Sequence, residues 1–190
     1  LNLMRYPRSC IDGHDRGRAA GVPGQASVVS RSASPMFDGP YRAPWWLPGG
    51  NLQTLYAPLL ARGGDVRFRR ERWTTPDGDF VDIDLVAGEA RAPLVVLFHG
   101  LEGGSRSHYA LALMRALARR GWRGEVAHFR GCSGELNRLP RAYHSGDSAE
   151  IDWMLRRFQS EAGGAPLLAV GVSLGGNALL KWLGEQGGEA

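Results

Sequence analysis

The six residues Gly171-Val172-Ser173-Leu174-Gly175-Gly176 constrain this chain more than any other stretch. An apolar run at 166–172 leads into them, and a run with helical spacing at 174–184 leads away. A buried strand that becomes a helix through one serine must turn sharply at that serine. Small neighbours give the turn its room, which is the part Gly171 and Gly175 play. The serine oxygen then stands at the carboxyl end of a sheet, next to the positive end of a helix dipole. In that setting Gly-x-Ser-x-Gly reads as a nucleophile elbow with Ser173 as the attacking residue. The plainer alternative is a tight turn that only joins two elements.

The surrounding rhythm agrees with a sheet of that kind. Leu94–Phe98 is a short continuous apolar run, the pattern of a strand covered on both faces. Residues 107–120 show helical spacing, with Ala110 and Met114, and Leu113 and Leu117, one turn apart, and Gly121 as the stop. A second strand is expected at 125–129, a second helix at 147–161 with Asp147 or Ser148 near its start, and a third buried strand at 166–172. Before these, 66–73 and 80–86 flank Thr75-Pro76-Asp77-Gly78-Asp79, which is hairpin chemistry. In its second arm Val81, Ile83 and Leu85 alternate with Asp82 and Asp84. Strands alternating with helices predict an α/β fold with a mostly parallel sheet.

A serine that forms a tetrahedral intermediate needs two N–H donors for the oxyanion. One comes from the residue after the nucleophile, Leu174. The other comes from the loop after an earlier strand, and His99-Gly100-Leu101-Glu102-Gly103-Gly104 follows directly on Phe98. Leu101 is the candidate second donor. The alternative here is a Gly turn with His99 as a satisfied structural histidine.

Charge excludes other classes. Of the net +4, residues 1–35 carry +3, in five arginines and two aspartates. A basic nucleic-acid face is therefore not expected. Residues 1–35 are rich in Gly, Ser, Arg and Pro without apolar period, so a disordered or non-native tail is expected there, with Met36 as the natural start and one domain over 36–190. Two isolated cysteines, Cys10 and Cys132, make neither a disulfide framework nor a metal site, which points to a reduced, cytoplasmic protein. No run reaches the ~18 apolar residues of a membrane span, and the first 30 residues hold no signal-peptide core. Four prolines interrupt 40–62, where a short helix around 51–57 is expected. Its large apolar residues, Trp45, Trp46, Leu52, Leu55 and Tyr56, are expected to pack on the domain rather than to anchor it in a membrane.

Four segments together resemble the YheT-like α/β-hydrolases, a group of serine esterases. They are Pro44-Trp45-Trp46-Leu47-Pro48-Gly49-Gly50-Asn51-Leu52-Gln53-Thr54; the 99–105 loop; Phe129-Arg130-Gly131-Cys132-Ser133-Gly134-Glu135 with Asn137-Arg138 and Tyr143-His144-Ser145-Gly146; and 171–180. They run in the family's order over 41–187. The resemblance implies an α/β-hydrolase sheet, Ser173 as nucleophile, and hydrolysis of carboxylic esters with short to medium acyl chains, from small molecules or lipids. No metal or organic cofactor is implied.

In this fold the order is Ser, then Asp or Glu, then His. The 17 residues after Ser173 contain no Asp and no His, and Glu185 and Glu189 lie in or just past the elbow helix. His99, His108, His128 and His144 lie upstream and read as structural or pocket-shaping, Asp147 as a helix-start residue, and Cys132 as a small packed residue. The chain is thus expected to be the amino-terminal part of an esterase, truncated after the elbow helix and inactive alone, with the sheet's last apolar edge unpaired. An alcohol acyltransferase on the same scaffold and a non-catalytic binding protein are the competing functions.

Overall fold

The computed structural model describes residues 42–59 and 66–189. The expected tail over 1–35 and the start at Met36 lie outside the described residues. Residues from Ala43 onward form one compact unit, and it is the unit described below. Its elements are α1 (Gly50–Leu59), β1 (Arg69–Thr74), β2 (Phe80–Val86), β3 (Leu94–Phe98), α2 (His108–Ala118), β4 (Arg123–Ala127), α3 (Ser148–Ala162), β5 (Leu167–Gly171) and α4 (Leu174–Gln186). A short 3₁₀ turn, Gly187–Glu189, follows.

The strands form one sheet in the order β1-β2-β4-β3-β5. β1 and β2 are the antiparallel hairpin, and β2 also pairs antiparallel with β4. β3 lies parallel to both β4 and β5. One face of the sheet packs on α2 through Val95, Leu97, Val126, Met114 and Leu117. The other packs on α3 and α4 through Ile83, Val96, Phe98, Ile151, Phe158 and Leu179. β3 therefore sends its helix to one face while β5 sends α4 to the other. The loops after β3 and β5 leave the same carboxyl edge toward opposite faces, which makes that edge the topological switch point at which open α/β sheets bind ligands.

In β2, whose alternation left the setting of its aspartates open, Asp82 and Asp84 are buried, and each is held by the arginine opposite it on β1, Arg72 and Arg70. Three expectations need correction. The second parallel strand ends at Ala127, two residues earlier than the hydrophobic run suggested, because Phe129 lies beyond the register with β3. β5 is not covered on both faces. It is an edge strand of the described sheet, with Leu168 and Ala169 exposed. Finally, Trp45, Trp46, Leu52 and Leu55 are exposed rather than packed on the domain.

Candidate active site

Ser173 stands between β5 and α4 with φ 50° and ψ −112°, a conformation that L-residues avoid. The surrounding backbone imposes it. Val172 N–H donates to the Phe98 carbonyl at 3.0 Å, so β5 stays paired with β3 up to the last residue before the serine. The chain then turns back over β3. A Cβ on Gly175 would sit 2.4 Å from the Phe98 oxygen and 2.6 Å from the His99 oxygen, and one on Gly171 would sit 2.5 Å from Gly176 Cα. Only glycine permits either approach, which explains the spacing of the two glycines around Ser173.

The loop after β3 comes within reach of that serine: a Cβ on Gly100 would be 3.3 Å from Ser173 Cβ. Most amides of this loop are used inside the protein. Gly100 N–H donates to Tyr109 Oη at 3.1 Å, Glu102 N–H to Tyr143 Oη at 3.0 Å, Gly103 N–H to the Gly100 carbonyl at 2.9 Å, and Gly104 N–H to Ser107 Oγ at 3.1 Å. Leu101 N–H, in the middle, has no acceptor among the described residues, and neither does Leu174 N–H at the start of α4. Glu102, with φ 55°, is the only other non-glycine residue with positive φ among the described residues. Strain and open donors therefore coincide on the loops after β3 and β5.

Each described histidine has a place. His99 is fully buried; its Nδ1 meets the Gly100 carbonyl at 2.7 Å, and its Nε2 accepts from Phe129 N–H at 3.1 Å. That pairing puts the ring proton on Nδ1. Burial lowers its pKa to about 4, with the Gly100 bond opposing and His128 adding to the fall. His128 Nε2 meets Asp84 Oδ2 at 2.9 Å, and its Nδ1 meets the Cys132 carbonyl at 3.2 Å. His144 is exposed, with Nδ1 on the Ser145 carbonyl and Nε2 3.7 Å from Asp147. His108 opens α2 with its ring edge-on to Tyr109. Three of these four rings are thus engaged away from Ser173. Asp147 does precede α3, but its carboxylate pairs with Arg141 instead of capping the helix amides.

Two polar networks support these loops, and sequence reading missed both. Asp84 accepts from Arg70 through both oxygens, at 2.7 and 2.8 Å, from Ser105 Oγ at 2.5 Å, and from His128. Burial alone would raise its pKa; these donors outweigh burial and hold it below the usual carboxylate range. Ser105 ties the end of the loop after β3 to β2 in this way. The second network centres on Arg130, whose guanidinium is buried against Asp77, Asp79 and Glu150. Asn137 donates to Asp79 and to the Phe80 carbonyl at 2.9 and 2.7 Å, pinning the loop after β4 to the hairpin turn. One signal was available in the sequence: a hairpin closed at 75–79 places Arg70 and Arg72 opposite Asp84 and Asp82. Cys132 is half-buried, its thiol bonded to the Tyr143 hydroxyl, and burial raises its pKa. Packing accounts for it.

Comparison with known proteins agrees with this architecture. A family model described as alpha/beta hydrolase fold matches residues 93–186. YheT of Escherichia coli (strain K12), which carries an esterase name, is 48% identical over 144 residues, 73% of this chain and 42% of that protein. Phospholipase ABHD3 of Homo sapiens is 31% identical over 150 residues, 75% of this chain and 37% of that protein. The chain thus spans about two fifths of the length of these relatives. Among solved structures, a serine hydrolase from Xanthomonas campestris described as lacking a lid superposes with a TM-score of 0.52 at 15% identity, over 64% of this chain and 58% of that one, a likeness of fold alone.

Proposed function

The chain belongs to the α/β-hydrolase family, in its YheT-like branch, and on that premise we propose that it carries the nucleophile and oxyanion donors of a carboxylic ester hydrolase. Ser173 Oγ attacks the ester carbonyl and an acyl-enzyme forms as the alcohol leaves. The Leu101 and Leu174 N–H groups hold the negative oxygen of the tetrahedral intermediate. Water then attacks the acyl-enzyme and frees the acid. The observation that carries this reading is the pair of unpartnered amides on the two loops beside a serine in a strained backbone conformation. Such donors act where charge develops, and losing one commonly costs about a hundredfold or more in rate.

A serine hydroxyl needs a base to take its proton. Three of the four described histidines are held by other hydrogen-bond partners, and none has a hydrogen bond to Ser173 among the described residues, so this reading assigns the base and its orienting acid to residues outside this set. The substrates are carboxylic esters of small molecules or lipids, with short to medium acyl chains.

Fluorophosphonate labelling of the natural gene product tests the assignment, read by mass spectrometry on the peptide holding Ser173. Label at Ser173 that disappears in Ser173→Ala is expected; label on another serine overturns the reading. The purified 190-residue chain should turn over a short p-nitrophenyl ester several orders of magnitude more slowly than a complete triad would. Robust turnover that Ser173→Ala abolishes would mean the base lies within the chain. Added alcohol distinguishes hydrolysis from acyl transfer, since an acyltransferase returns a new ester instead of the free acid.

A further inference from the structure

The amides of Gly100 to Gly104, in the loop between β3 and α2, are not treated alike. Gly103 N–H turns back to the Gly100 carbonyl at 2.9 Å, which closes a β-turn with Leu101 and Glu102 at its centre. Of these two central residues only Glu102 has a positive φ, at 55°. That is the pattern of a type II turn, whose second central position ordinarily holds glycine. A glutamate there is strained, and a type I turn, with negative φ at both positions, would relieve it. Something outside the turn holds it as it is.

Two tyrosines take the amides on either side of Leu101. Tyr109, in the first turn of α2, accepts from Gly100 N–H at 3.1 Å. Tyr143, in the loop before α3, accepts from Glu102 N–H at 3.0 Å. Each phenol is itself fixed. The Tyr143 ring stacks on Phe129, with centroids 5.4 Å apart and 4° between planes, and its hydroxyl bonds the Cys132 thiol. The Tyr109 hydroxyl lies inside the turn, where a Cβ at Gly103 would collide with it, and its ring packs against the core on the α2 face. With Gly103 on the Gly100 carbonyl and Gly104 on Ser107 Oγ, Leu101 N–H is the amide of this loop left without an acceptor among the described residues.

We propose that Tyr109 and Tyr143 are positioning residues, which take up the flanking amides and set Leu101 N–H as the oxyanion donor. The inference rests on the esterase reading of Ser173. A phenolic oxygen accepts from an N–H as a carbonyl does, but its direction is fixed by a packed ring and not by the loop it serves. The bond from Glu102 N–H keeps the central peptide in its strained sense. Without it that peptide can turn over, which relieves Glu102 and shifts Leu101. An oxyanion donor works only when it is already set where charge develops. Both hydroxyls therefore act through Leu101 on the transition state and not on the bound ester.

The natural gene product tests this, with a short p-nitrophenyl ester as substrate and phenylboronic acid as probe, since the latter forms a tetrahedral, negatively charged adduct on a serine oxygen. Tyr143→Phe deletes one oxygen and leaves the ring on Phe129. It should lower kcat by about tenfold or more with KM changed by less than about threefold, and weaken phenylboronic acid by the same factor as kcat. Tyr109→Phe, on a different element, should do the same and stands in if the first variant fails to fold. Adding Glu102→Gly to Tyr143→Phe should restore most of the lost kcat, because glycine holds positive φ without a tether. A general loss of stability would not be repaired that way. Tyrosine variants that keep the kcat of the unaltered protein overturn the proposal, and so does a loss that falls on KM and that Glu102→Gly leaves in place. The esterase reading fails separately. A gene product that takes no fluorophosphonate on Ser173 removes that reading and the positioning role with it, whereas labelled, active protein indifferent to both tyrosines removes the positioning role alone.

Discussion

The loop after β3 and the loop after β4 both leave the carboxyl edge of the sheet, and they handle their polar groups in opposite ways. The first keeps Leu101 N–H open, holds Glu102 at positive φ and lies against a serine that is itself strained. The second spends its polar groups inside the protein: Arg130 meets three carboxylates, and Asn137 and the Arg138 and Leu139 amides donate to Asp79 of the hairpin turn. Unsatisfied donors and strain mark a place built to meet something else; satisfied ones mark support. The two loops are joined, because Tyr143, at the far end of the second, accepts from Glu102 N–H of the first. Support reaches the first loop from the second through that one hydrogen bond.

The largest effect should come from removing the cation of the closed loop. Arg130→Met leaves Asp79 and Glu150 buried without their partner. Breaking a buried pair on one side costs about 4 kcal/mol. Urea unfolding of the chain measures it, and a loss under ~1 kcal/mol would mean that the cage supports little.

Asp79 and Glu125 then form a pair of buried carboxylates with opposite fates. Burial pushes Asp79 up, but N–H donors from Arg138, Asn137, Phe80 and Leu139 outweigh it and bring its pKa down to about 2. Glu125, on β4, has no such donors, and one of its oxygens lacks any hydrogen-bond partner. Burial pushes it up to about 7, helped by Glu161 and Glu71 and opposed by Arg123 and Arg69. The signs differ accordingly. Asp79 contributes stability above its unfolded value, lost as pH falls toward 2. Glu125 binds its proton more tightly when folded, so its share is present below about 4.5 and lost as pH rises to about 7. The loss is about 3 kcal/mol if the whole shift is realised. Glu125→Gln should flatten the unfolding profile between those two pH values; a slope that survives assigns it to another group.

A change in the opposite direction tests the strained side. Ser173→Gly removes the Cβ that makes φ 50° costly. Relief of strain outweighs the added entropy of glycine in the unfolded chain, for a gain of about 1 kcal/mol. Thermal melting of both proteins reads it, and an unchanged or lower midpoint would show that the elbow stores no strain.

The parallel core was legible because its signals are local. The apolar run at Leu94–Phe98, the helical spacing of Ala110, Met114 and Leu117, and the elbow glycines each declare themselves within a few residues. What was hidden depends on partners far along the chain. Alternation reports only that the two faces of β2 differ; it does not say that Arg70, Arg72 and His128 make the face of Asp82 and Asp84 a buried one. Tyr143 gave no sign of reaching Glu102, 41 positions away. Trp45 misled in the other direction, since a large aromatic residue suggests a core and says nothing of whether one lies in reach.

The smallest effect belongs to the edge of the sheet. β4 is covered by neighbours on both sides, whereas β5 has β3 on one side and an open edge on the other. Leu168, 45% exposed, points its side chain out beside that edge. An open strand edge with apolar side chains invites pairing with another chain, and lysine is the usual deterrent. Leu168→Lys should therefore move stability by no more than ~0.5 kcal/mol, because the side chain leaves little behind. It should still reduce self-association of the chain, measured by light scattering across a concentration series. Equal scattering from both proteins would place the association on another surface.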